Sequence, residues 1–159
     1  MKGNGKKTKL MYWACGMISS ACAVVFLWLM LIAQEMISEN ANIAQLAGAA
    51  YLYIFGAAVP CALAVGMLAA VIYEIGQGRA FTVRNAKWMR GIAAMAFLEC
   101  AYIAAGAVGW SIAGLIHPGI ILLAMTLILF GGGVGILALS LAGLVVKAND
   151  IREENELTV

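Results

Sequence analysis

Glu99 is the one ionisable residue set deep inside an apolar stretch of this chain. It lies nine positions after Arg90, about 13 Å along a helix at a rise of about 1.5 Å per residue. An isolated charge at that depth of a bilayer costs at least about 2.5 kcal/mol. Such a carboxyl must be protonated, be paired, or face a wet cavity. By depth, its expected partners are Ser19 or Ser20 of the first helix and Ser140 of the last. The expectation is a mostly protonated Glu99 hydrogen-bonded across the helices, with a proton or ion site as the sharper alternative.

Little else has the types or spacing of catalytic chemistry. Cys15, Cys22, Cys61 and Cys100 each lie within an apolar run and form no C-x-x-C. The single histidine, His117, stands apart in a turn beside Pro118. Zinc or iron–sulfur chemistry needs ligands in short, paired spacings, so no metal is expected and the cysteines read as small packing residues. No phosphate loop, dinucleotide glycine pattern or nucleophile elbow occurs. The glycines 131–133 lack the lysine of a phosphate loop. No catalytic residue, cofactor or enzyme activity is expected.

The elements that carry these residues are membrane helices. The chain is 64% hydrophobic and 11% charged, with a mean hydropathy of +0.96. A soluble domain is about half apolar and a quarter charged. Four apolar runs exceed the about 20 residues that cross a bilayer as a helix. They place helices at about 10–34, 46–74, 88–115 and 119–147, a single transmembrane domain with a loop at 75–87 and a polar tail at 148–159. The runs are continuous, without the alternation of a barrel strand, and a helix satisfies its own backbone in lipid. The fold class is therefore all-α, a four-helix transmembrane bundle. The first run continues past Ala21-Cys22-Ala23, too far for a cleaved signal peptide. Pro60 should kink the second helix by freeing the carbonyl of Gly56. Gly131 and Gly135 form a G-x-x-x-G pair, expected to serve packing within the bundle, with self-association as the alternative.

The ten Lys and Arg residues are sorted by segment. Lys2, Lys6, Lys7 and Lys9 precede the first helix. Arg79, Arg84, Lys87 and Arg90 lie between the second and third, and Lys147 and Arg152 follow the fourth. The other two loops carry none. Short basic loops stay cytoplasmic, so both termini are expected in the cytoplasm, with Tyr12, Trp13 and Trp88 as interfacial anchors.

Two cytoplasmic segments hold most of the remaining polar chemistry. The loop carries Arg79, Arg84, Lys87 and Arg90 beside Phe81 and Trp88, and Thr82 is placed to cap a helix starting at Val83. The tail carries Asp150, Glu153, Glu154 and Glu156 and ends on Leu157-Thr158-Val159. These opposite charges could pair with each other, dock a partner, or, for the loop, rest on anionic headgroups. The apolar finish, with Leu157 and Val159, points to a packed or docked terminus.

These two segments also carry a resemblance. Gly78-Arg79-Ala80-Phe81-Thr82 followed by Met89-Arg90, and Asp150-Ile151-Arg152-Glu153-Glu154-Asn155-Glu156-Leu157-Thr158-Val159, resemble the loop and terminal motif of the domain-of-unknown-function family 2975. Met89 stands where leucine is commoner. The resemblance implies a small four-helix protein of the bacterial inner membrane. It further implies a partner, a small helix-turn-helix DNA-binding regulator of the Xre type commonly encoded next door. On that reading the protein recruits or inhibits the regulator through loop and tail and touches no nucleic acid itself. The competing reading is a transporter or channel component built on Glu99.

Overall fold

The computed structural model describes residues 4–39, 46–114 and 118–157. They form four α-helices in chain order: α1, Asn4–Glu39; α2, Ala47–Gly76; α3, Val83–Ile112; and α4, Pro118–Leu157. Each contains a segment long and apolar enough to cross a membrane, Met11–Glu35 in α1 and Pro118–Asn155 in α4, and all of α2 and α3. Among the described residues there is no strand.

The helices outrun the apolar segments that predict them. α1 begins before Leu10 and continues past Gln34, α3 begins at Val83 rather than 88, and α4 runs ten residues beyond Lys147. Hydropathy locates the part of a helix that lipid requires, whereas helix propensity and caps set where it stops. After Gly143 no glycine or proline interrupts α4, and its Glu, Lys and Arg residues are good helix formers. The expected polar tail is thus mostly an extension of α4. The expected loop 75–87 shortens to 77–82, because Thr82 caps α3: its backbone is extended and its side chain accepts from the Asn85 amide.

Helix ends are closed by local chemistry. Gly78 takes φ +76° just past α2, the left-handed conformation that glycine adopts without strain. The Gly78 amide donates to Ile75 O and the Arg79 amide to Glu74 O, each at 3.0 Å. These are the two bonds of a Schellman stop. Pro118 opens α4 at its first helical position, where its missing N–H is harmless. Pro60 lies inside α2 and is buried, and the helix continues through it.

Packing is sequential: α1 rests on α2, α2 on α3, and α3 on α4, the last pair most extensively. No more than a marginal contact joins non-consecutive helices among the described residues, so the bundle is open. Between α2 and α3, Tyr53 and Tyr102 stack with ring centroids 4.9 Å apart and 12° between planes. The Tyr102 hydroxyl donates to Tyr53 O at 3.1 Å, and the Tyr53 hydroxyl to Ile103 O at 3.3 Å. Each ring covers a glycine of the facing helix, Tyr102 over Gly56 and Tyr53 over Gly106. Between α3 and α4, Cys100 lies over Gly131 and Phe97 over Gly135, and the Cys100 thiol donates to Ile128 O at 3.4 Å. The G-x-x-x-G pair therefore packs within the chain, as small residues allow.

Candidate functional site

The loop joining α2 to α3 is built around an acid. Glu74 sits in the last turn of α2 with only 4% of its surface exposed. A carboxylate is rarely that buried unless paired. The Schellman stop turns the chain back over it, bringing Arg79 Nε to 3.0 Å from Oε2. Arg84, on the first turn of α3, reaches Oε1 at 3.5 Å. One dry acid thus ties the end of α2, the loop and the start of α3.

Three further bonds fix the loop. The Thr82 hydroxyl donates to Arg79 O and accepts from the Asn85 amide, both at 3.3 Å. Asn85 is completely buried, and its Nδ2 donates to Ala80 O at 2.8 Å. Its Oδ1 is buried without a hydrogen-bond partner among the described residues. With Glu74 and Asn85 turned inward, the loop shows Phe81 and Val83 to the outside beside the exposed arginines, each about half exposed. Lys87 and Arg90 are exposed one and two turns further along α3.

The α4 extension leaves from the same end. Ala86 of α3 packs with Ala142 and Val145 of α4, flanked by Met89 and Val146. From Val145 to Leu157 the helix advances about 18 Å at about 1.5 Å per residue. Asp150, Ile151, Glu153 and Glu154 are exposed along it, and Asn149 Nδ2 donates to Glu153 Oε1 at 2.7 Å. Glu156 and Leu157 fall in the last helical turn, while Val159 lies outside the described residues, as do His117 and Lys2.

One expectation changes. Arg79 and Arg84 find their acid in Glu74, next door in α2, instead of in the tail. Sequence reasoning treated Glu74 only as the end of an apolar run. The signal available was an acid in a closing turn with arginines five and ten residues on, across a glycine stop. Residues 150–155 of the tail are all exposed, and the side chains of its apolar finish, Leu157-Thr158-Val159, lie outside the described residues.

The intramembrane acid also stands differently. Glu99 Oε2 is buried and has no hydrogen-bond partner among the described residues. The serines expected to meet it bond their own helices. Ser19 donates to Cys15 O at 3.0 Å, Ser20 to Met17 O at 2.9 Å, and Ser140, exposed, to Ile136 O at 2.9 Å. Hydroxyls in apolar helices take the carbonyl one turn back when nothing better is in reach. Tyr53 and Cys61 of α2 are among the groups within electrostatic reach of Glu99.

Neither curated proteins nor solved structures give a match to the chain. A family model described as a protein of unknown function matches residues 31–159, from the last turns of the α1 span through the loop to the acidic extension. The chain belongs to that family, DUF2975.

Proposed function

We propose that this protein is an adaptor of the bacterial cytoplasmic membrane, with both termini in the cytoplasm. On this reading its loop and α4 extension recruit or inhibit a small helix-turn-helix DNA-binding regulator. The observation that carries the reading is the juxtaposition of the fixed loop and the exposed acidic helix at one end of the molecule. The sorting of the basic residues to that end supports its facing the cytoplasm.

A DNA-binding domain carries a basic face shaped for phosphates. A helix bearing Asp150, Glu153, Glu154 and Glu156 offers acids to such a face. Phe81 and Val83 beside it offer apolar contact, and interfaces draw their energy from a few such buried anchors. The test is affinity purification of the tagged full-length protein from its native membrane, against a chain lacking 150–159. A small DNA-binding protein should co-purify with the first and be lost from the second. Equal recovery with both, or with neither, overturns the reading.

A second reading has one observation in its favour, the unpartnered Oε2 of Glu99. A transporter or channel component could use that acid to carry a proton or ion. Proton or cation flux in liposomes that is lost in Glu99→Gln would select it, whereas unchanged flux and function in that variant would remove it.

A further inference from the structure

Cys22 and Cys61 occupy the middles of two adjacent spans, α1 and α2. Both line one crevice of about 350 Å³, with Ala23, Phe26, Ala58 and Val65 among its walls. The two thiols face the same crevice from its α1 and α2 sides. The other two thiols are placed differently: Cys15 is buried in α1, and Cys100 is bonded to Ile128 O of α4. Ala23, Ala58 and Ala62 flank the two thiols, and such small residues leave little bulk between facing helices.

We infer that Cys22 and Cys61 form a redox-active dithiol that closes to a disulfide by reducing a lipid-soluble quinone. The crevice selects the oxidant class. Its walls are apolar apart from Ser19 and the two thiols, it lies at the depth of the acyl chains, and its volume falls in the range of small-molecule pockets, about 300–1,000 Å³. Glutathione and protein oxidants are water-borne and do not reach that depth, whereas a quinone ring dissolves there. Phe26 gives such a ring an aromatic wall. The reacting species of a thiol is its thiolate, and the two carbonyl oxygens of the quinone are the acceptors for the two protons released.

The step balances without another reactant. Two S–H bonds break and one S–S bond forms. The two electrons and two protons pass to the quinone, which leaves as hydroquinone. The product staples α1, which packs mainly on α2, covalently to the rest of the chain.

The test uses the reduced full-length protein in proteoliposomes, treated with tetramethyl-1,4-benzoquinone, whose fully substituted ring cannot add a thiol. Free thiols are then counted under denaturing conditions by the mass added with polyethylene-glycol maleimide. The four cysteines should fall from four adducts to two, with one hydroquinone formed per chain, and dithiothreitol should restore all four. Cys22→Ser should keep its three adducts throughout. A chain with Cys15→Ser and Cys100→Ser should go from two adducts to none. Four adducts surviving in the native chain, or loss of adducts in Cys22→Ser, overturns the inference. If Cys22→Ser does not fold, the chain lacking Cys15 and Cys100 decides alone, since two adducts retained there are equally fatal.

Discussion

Glu74 is held dry by α2 while its two arginines stay more than half exposed, at 55% and 69% of their side-chain surface. That asymmetry sets the energetics. A fully buried ion pair broken on one side costs about 3–5 kcal/mol, and an exposed pair contributes about 0–1 kcal/mol. Glu74→Ala should fall between, at about 1–3 kcal/mol, and the loss should be local because the pair fastens a loop to two helix ends. Trypsin acting on oriented membranes should therefore cut after Arg79 and Arg84 about tenfold faster in the variant, a tenfold change corresponding to about 1.4 kcal/mol. Unchanged cleavage would mean that the Schellman stop and the Thr82 cap hold the loop without the acid. At this scale the sequence was partly legible. The depth of Glu99 follows from counting residues along a run, and so does its cost. Its neighbours do not, because which faces of α2 and α3 meet depends on the pairing of helices. The same ignorance hid the approach of Cys22 to Cys61, distant in sequence and unremarkable in spacing.

The tyrosine–glycine lock shows what joins two elements where lipid, as apolar as the side chains, gives no hydrophobic drive between helices. Tyr53 and Tyr102 each fill the space above a glycine of the other helix and bond a carbonyl there. A Cβ at Gly106 would fall on the Tyr53 ring, whereas one at Gly132 of α4 meets nothing within 4 Å. Gly106→Ala should thus destabilise by about 1–3 kcal/mol through overpacking. Gly132→Ala should be neutral or slightly stabilising, since alanine is favoured over glycine in a helix by up to about 1 kcal/mol. Thermal unfolding in detergent micelles checks both, and equal midpoints for the two variants would remove the lock from the account. The existence of all four helices was legible, because continuous apolar runs leave no other solution in lipid. Their ends were not. Thr82 and Pro118 announce starts, but the long polar continuation of α4 reads equally well as coil until the absence of any stop residue after Gly143 is given weight.

At the scale of the molecule, an open row of four helices has two ends, and every described Lys and Arg belongs to one of them. Lys6, Lys7 and Lys9 stand at the start of α1; Arg79, Arg84, Lys87 and Arg90 mark the turn from α2 to α3; Lys147 and Arg152 lie on the α4 extension. With helices antiparallel in sequence, these three places coincide in space, and Ala86 against Ala142 and Val145 shows two of them touching. Translocating one such residue is opposed by about 2.5–3.5 kcal/mol on insertion scales. An orientation with both termini outside would carry all of them across, whereas one with both termini in the cytoplasm carries none. A fluorescent protein that folds only in the cytoplasm, fused after Val159, should therefore fluoresce, and alkaline phosphatase fused there should be inactive. Phosphatase fused after Glu39, at the far end of α1, should be active, as should a fusion after Gly114. Phosphatase activity after Val159 would reverse the orientation, and with it the access of any cytoplasmic regulator to Phe81 and the acidic helix. The quinone chemistry at Cys22 and Cys61 would be untouched, since mid-span thiols are equally deep from either face. The two proposals therefore fail separately.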